Sequence, residues 1–123
     1  MIDRHYKKLK YEPIEFIQNN RLDYISGNLV KYVSRFYTID RADADKEANL
    51  TRIKFYLKRA LLEYDKELTT DYKPFLSRIS TNKVREYCEL NDFDNFQTNI
   101  LINYFKATLN KSPHEIKIIL DNI

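Results

Sequence analysis

The sequence predicts an all-α protein, a compact multi-helix bundle of approximately six helices. Three observations lead there. Apolar residues recur at spacings of three and four in several windows, which is the signature of amphipathic helices. Proline and clusters of Ser, Thr, Asn and Asp punctuate those windows at intervals suited to helix boundaries. The 123 residues are 43% hydrophobic, 14% aromatic and 32% charged, so the chain has core-forming material beyond that of a disordered segment and is sized for one ordinary domain.

The stretch Ile2 to Tyr11 holds His5, Tyr6 and four basic residues and has no helical pattern. Glu12-Pro13 then opens a short helix ending near Asn19-Asn20, because proline suits the first helical turn and acidic side chains favour that terminus. Ser26 or Asn28 is the expected cap of a second helix running to Phe36 or Tyr37, with Gly27 allowing a close approach or an unusual backbone angle. Leu29, Val33 and Phe36 form its apolar stripe. Thr38 to Asp45 reads as an acidic linker. A long helix from Lys46 to Leu68 follows, with Leu50, Ile53, Leu57, Leu61, Tyr64 and Leu68 as a core stripe or a homodimer seam. After a break at Thr70 to Pro74, Phe75, Leu76 and Ile79 suggest a short helix. Ser80-Thr81-Asn82 caps Lys83 to Leu90, and the stripe Phe93, Phe96, Ile100, Tyr104 and Phe105 marks the next helix. Ser112-Pro113 begins the last, where Ile116, Ile119, Leu120 and Ile123 close the core. The expected division is a helical core over residues 1–68 and a helical extension over 69–123 packing on it.

Composition excludes several classes. A single cysteine, Cys88, leaves no intramolecular disulfide and no multi-cysteine zinc centre, and a secretory signal pattern is lacking. No apolar run is long enough to span a bilayer, so the expectation is a cytoplasmic protein without membrane association. Through Leu68 there are 14 Lys or Arg against 11 Asp or Glu, and seven of each thereafter. The net charge of +3 therefore resides in the first half, where it serves solubility or steers an acidic partner.

The order of motifs in that half carries a resemblance. It runs from His5-Tyr6 through Tyr11-Glu12-Pro13-Ile14-Glu15-Phe16-Ile17, Leu22-Asp23-Tyr24 and Gly27-Asn28-Leu29-Val30-Lys31-Tyr32 with Arg35. It resumes at Asn49-Leu50-Thr51-Arg52-Ile53-Lys54-Phe55-Tyr56-Leu57-Lys58-Arg59. The chain thus resembles the DUF3310 family, small proteins found widely in bacteriophages and phage-derived regions. Asn49 stands where the family commonly has an acidic residue, and Thr51 where it commonly has lysine. The resemblance implies a phage protein acting in the infected bacterial host, without implying a common activity. Some members carry a nucleotide-kinase label, but one glycine in the whole chain leaves no glycine-rich phosphate loop.

Asn28, Lys31 and Arg35 share a helix face, so an amide and two cations can meet a phosphate, a carboxylate or an acidic protein surface together. Tyr32 adds an amphipathic ring beside them. Arg52, Tyr56, Arg59 and Glu63 form a polar and aromatic strip on the long helix, with Arg59 and Glu63 spaced for an i,i+4 pair. The binding candidates are His5, Asn28, Lys31, Tyr32, Arg35, Arg52, Tyr56 and Arg59. A structural network is the competing account, with Asn28 as a cap and the cations paired to Asp23, Asp45 or the long helix.

Catalytic patterns are weaker. His5 and His114 form no local metal motif, and Asp40, Asp43, Asp45 and Glu47 suit a solvated turn. Glu12 with Glu15 and Glu63 with Glu67 compare loosely with the acidic pairs of all-α nucleoside-triphosphate pyrophosphohydrolases. Cys88 lacks a sequence-local histidine to activate it. No catalytic residue, metal ligand or cofactor is therefore assigned. The favoured expectation is a non-enzymatic phage accessory protein that binds and modulates a host or phage protein or nucleoprotein, in one version inhibiting a host antiviral nuclease. The alternative is a divalent-metal-dependent nucleotide-binding or nucleotide-processing protein; nucleic-acid binding is a third, less favoured reading.

Overall fold

Prolines, acidic caps and left-handed turns divide the chain into six helices among the described residues. The computed structural model describes residues 9–36, 43–69 and 75–123, with side chains of the long helix described from Lys46 to Lys66. Expectations for His5, Tyr6, the side chains of Asp40, Asp43, Asp45, Glu67 and Leu68, and the break at Thr70 to Pro74 lie outside the described residues. The helices are α1 (Pro13–Asn19), α2 (Tyr24–Ser34), α3 (Asp43–Thr69), α4 (Thr81–Leu90), α5 (Asn95–Leu109) and α6 (Pro113–Asp121).

Helix starts follow side-chain chemistry. Pro13 and Pro113 occupy the first turns of α1 and α6, where a missing N–H costs nothing. Asp94 caps α5 by accepting from the Gln97 amide at 2.9 Å, while Gln97 Oε1 accepts from the Asp94 amide at 3.2 Å. This reciprocal box satisfies two otherwise orphaned donors. Ser80 caps α4 through the Lys83 amide at 3.3 Å.

The start of α2 differs from the expected one. Its cap is Asp23, whose Oδ2 accepts from the Ser26 amide at 3.0 Å, so Ser26 and Asn28 lie inside the helix. Gly27 is also helical and has no positive φ. The close approach is what its missing side chain serves: a Cβ there would lie 3.3 Å from Ile17 Cγ2 on α1.

Three helices end in one way that used no glycine. Arg21, Asp92 and Lys111 have φ of 49°, 55° and 51°. After each, the next amide reaches back to close the turn: Leu22 to the Ile17 carbonyl at 3.1 Å, Phe93 to Cys88 at 3.1 Å and Ser112 to Ala107 at 2.9 Å. These are Schellman closures of α1, α4 and α5.

Residues 75–80 are not helical, contrary to the short helix suggested by Phe75, Leu76 and Ile79. The Ser77 amide donates to Asp23 Oδ1 at 2.7 Å and the Ser77 hydroxyl to the same oxygen at 2.8 Å. The Asp23 amide returns a bond to Ser77 Oγ at 2.7 Å. A non-local partner thus takes the amide that a helix would direct to its own carbonyl, and so short a segment gains little from helix formation alone. Leu76 is buried and Phe75 is exposed.

Helices α2, α3, α6 and α5 form a closed circuit in which each packs on the next, with α1 set against α2 and α4 against α5. Phe16 of α1 stacks on Tyr87 of α4 at 4.2 Å between centroids, joining the two flanking helices. Asn91 fastens the chain ahead of α1 to the end of α4: its Oδ1 accepts from the Tyr11 amide at 2.9 Å and its Nδ2 donates to the Tyr11 carbonyl at 2.8 Å. One buried cluster includes Leu29, Val33, Ile53 and Leu57 together with Val84, Leu101, Phe105 and Ile116, so both halves of the chain contribute to a single core. Burying each large apolar side chain stabilises the fold by about 1.5–3 kcal/mol.

Polar bonds orient the core. The hydroxyls of Ser26 and Tyr104 are 2.7 Å apart, as are those of Ser34 and Tyr87. Gln97, buried on α5, donates from Nε2 to the Val33 carbonyl at 2.9 Å. These contacts fix the rotation of α2 against α4 and α5, because each buried hydroxyl needs its partner. Burial pushes the Tyr87 and Tyr104 hydroxyls well above their ordinary range. Among the described residues no helix is long and apolar enough to cross a membrane.

Candidate interaction face on α2 and α3

The Asp23 cap starts α2 at Tyr24, and the i, i+4, i+8 row Tyr24, Asn28 and Tyr32 then runs along one line of that helix. On α3, Arg52 and Tyr56 are one turn apart. The packing of α2 on α3 brings the two rows together. Tyr32 stacks on Tyr56 with centroids 5.9 Å apart and planes 11° from parallel. Tyr24 meets Tyr56 edge-on at 6.3 Å, and Phe55 does so at 5.1 Å.

Two cations lie beside this group. The Lys31 ammonium is 5.1 Å and the Arg52 guanidinium carbon 5.2 Å from the Tyr32 ring centroid, within cation–π range. Burial raises the Tyr56 hydroxyl above its ordinary pKa; its hydrogen bond with Tyr24 and the proximity of Tyr24 and Tyr32 act in the same direction, while Arg52 opposes them. Tyr56 therefore stays a neutral hydroxyl at physiological pH.

The candidates divide under this geometry. Lys31, Tyr32, Arg52 and Tyr56 converge. Asn28 directs its Nδ2 to the Tyr24 carbonyl at 2.8 Å, bracing the row from within α2 and not capping it. Arg35 is exposed at the end of α2, where its carbonyl accepts from Asn49 Nδ2 at 3.3 Å. Asn49 is buried, and an acidic side chain at that position has no donor for this carbonyl. Arg59 is exposed, three residues beyond Tyr56. His5 lies outside the described residues.

Glu63 leaves the expected solvated strip. It is buried and accepts from Lys66 Nζ at 3.3 Å, two turns along α3 from Tyr56. Asp23, offered as a partner for Lys31 and Arg35, directs its carboxylate to Ser26 and Ser77. Glu15 accepts from the Glu12 amide at 3.4 Å, an intrahelical role at the start of α1. Among the described residues no group of three or more His, Cys, Asp and Glu side chains is placed to hold a metal ion. Cys88 is buried, and that burial pushes its thiol up to about 11.

Sequence reasoning missed Tyr24 and Phe55, which are 76% and 53% exposed and give the face its outward aromatic surface. It also missed a charge pattern present in the chain itself. From Tyr24 to Phe36 and from Ala48 to Leu62 there is no Asp or Glu, while Lys31, Arg35, Arg52, Lys54, Lys58 and Arg59 supply six cations. Two spans that pack together thus hold six cations and no carboxylate of their own, with Lys31 and Arg52 placed beside the rings.

No curated protein and no solved structure gives a significant match to this chain. Residues 3–58 match the family described as protein of unknown function (DUF3310), a stretch that contains Tyr24, Lys31, Tyr32, Arg52, Phe55 and Tyr56 and so covers the whole converging face.

Proposed function

We propose that this chain is a non-enzymatic phage accessory protein that binds an acidic surface of a macromolecular partner through the α2–α3 face and thereby modulates it. The observation that carries this reading is the joining of exposed rings and cations on two helical spans that lack any carboxylate. Aromatic and arginine side chains dominate the energetics of protein interfaces, and a single-signed charge pattern accelerates encounter with a partner of opposite sign. The most concrete partner is a host antiviral nuclease. Metal-dependent nuclease sites are built from carboxylates, and such an acidic site is the complement of this face.

The test is tagged recovery from infected host cells, followed by binding measurements with the purified partner. Wild-type protein is expected to form a stoichiometric, salt-sensitive complex with another protein. Lys31→Glu with Arg52→Glu should slow association by at least tenfold, and Tyr24→Ala with Phe55→Ala should speed dissociation, all with unchanged helical content. Recovery of nucleic acid alone, or a complex indifferent to all four substitutions, would refute the reading.

A further inference from the structure

A groove of about 400 Å³ lies between α5 and α6, a volume within the range that holds small ligands. It shares no residue with the α2–α3 face. Residues 110–112 alone join the two helices, which therefore form a hairpin. Lys106, in the last turn of α5, and Glu115, in the first turn of α6, line the groove at the end beside that connection. Further along, Ile100 and Ile119 are buried in the floor beside the half-buried Phe96. A charged end thus leads into an apolar trough.

Glu115 Oε2 sets this groove apart. Among the described residues it is the buried side-chain polar atom that lacks a hydrogen-bond partner. A buried acceptor without a donor is costly, and more so on a charged group, so the site gains from a ligand that supplies one. The last torsion of a glutamate side chain is broad and two-fold, and the carboxylate turns towards a donor in the groove at little cost. Lys106 is exposed and, like Glu115, forms no ion pair. A ligand of single sign meets one like charge at this end, whereas a ligand with both signs close together satisfies the two residues at once. The head of a free α-amino acid is such a group: its ammonium is the donor that Glu115 lacks, and its carboxylate complements Lys106. The floor of Phe96, Ile100 and Ile119 then takes a hydrocarbon side chain.

We propose that the α5–α6 groove binds a free α-amino acid with an apolar side chain, its ammonium on Glu115, its carboxylate on Lys106 and its hydrocarbon over Ile100 and Ile119. The probe is L-leucine, titrated into the full chain labelled with nitrogen-15. Isoamylamine, which is leucine without the carboxylate, and isocaproate, which is leucine without the ammonium, are titrated in parallel. Saturable shifts of the Lys106 and Glu115 backbone amides are expected with leucine at low-millimolar concentration, and either analogue should bind about tenfold more weakly. Glu115→Gln should weaken leucine binding about tenfold and abolish its advantage over isocaproate. Lys106→Met should do the same to its advantage over isoamylamine. Both replacements are good helix formers, and circular dichroism checks that the fold persists. Absence of saturable shifts, an analogue that binds as well as leucine, or wild-type affinity for leucine in the two variants would overturn the proposal.

Discussion

Replacing Asp23 with alanine removes the side chain that both starts α2 and secures the segment before α4. Loss of the cap on Ser26 costs about 1 kcal/mol. Two further bonds from Ser77, at 2.7 and 2.8 Å, are half-buried and end on a carboxylate, so each contributes about 1 kcal/mol. The sum is about 3 kcal/mol, a large share of the stability of a small domain. For a chain of this length it corresponds to a fall in Tm of roughly 12 °C. Thermal unfolding followed by far-ultraviolet circular dichroism measures the total. A double-mutant cycle with Ser77→Ala isolates the bond from the Ser77 hydroxyl, with an expected coupling of about 1 kcal/mol, while the amide bond to Asp23 persists in Ser77→Ala. Hydrogen exchange at the Ser77 amide should rise in Asp23→Ala well above the rise in core amides of α5. A total loss below 1 kcal/mol, or additive effects of the two substitutions, would refute the claim that Asp23 joins α2 to residues 75–80.

Three other outcomes follow from the same geometry. Arg21→Gly, Asp92→Gly and Lys111→Gly should each raise stability by about 0.5 kcal/mol in denaturant unfolding, because relief of left-handed strain slightly exceeds the added freedom of the unfolded chain. Tyr87→Phe and Tyr104→Phe should each cost about 1–2 kcal/mol by leaving Ser34 or Ser26 without its buried partner, and pairing either change with Ser→Ala at the partner should recover part of that loss. Cys88 binds its proton more tightly in the folded state, with a pKa near 11 against an ordinary 9. The unfolded state therefore loses that proton first, and the contribution of this group is intact below pH 9 and lost as pH rises towards 11. Cys88→Ala should flatten the stability profile over that window, and alkylation of Cys88 at pH 8 should track global unfolding.

Helix existence was legible wherever apolar residues recur at helical spacing, and caps were legible where a short polar residue precedes the run, as at Ser80. The start of α2 was misread because Asp23, Ser26 and Asn28 are all competent caps locally. Only the partner at Ser77, 54 residues away, distinguishes Asp23. Residues 75–80 failed for the same reason. Glu63 was assigned to solvent from its spacing to Tyr56, and a 7-residue step along α3 does keep nearly the same helix face; its burial is decided by the surroundings of that end of the helix, which spacing does not encode. Lys31, Tyr32, Arg52 and Tyr56 were each identifiable as candidates, whereas Tyr24 and Phe55 fell on neither the apolar nor the polar stripes and were given no role.

What the sequence by itself determined is the helical class and the supply of rings and cations in the first half, since periodicity and residue type are local properties of the chain. The tertiary structure alone decided that Tyr32 meets Tyr56 between Lys31 and Arg52, that Tyr24 and Phe55 face outward, and that Glu63 does not. For the residues of α2, those outcomes depend on the rotation of that helix about its axis; for Phe55 and Glu63 they depend on what packs against α3. That rotation is set by contacts between distant residues, chiefly the Ser26–Tyr104 and Ser34–Tyr87 pairs and the Gln97 bond to Val33, and local spacing cannot encode it.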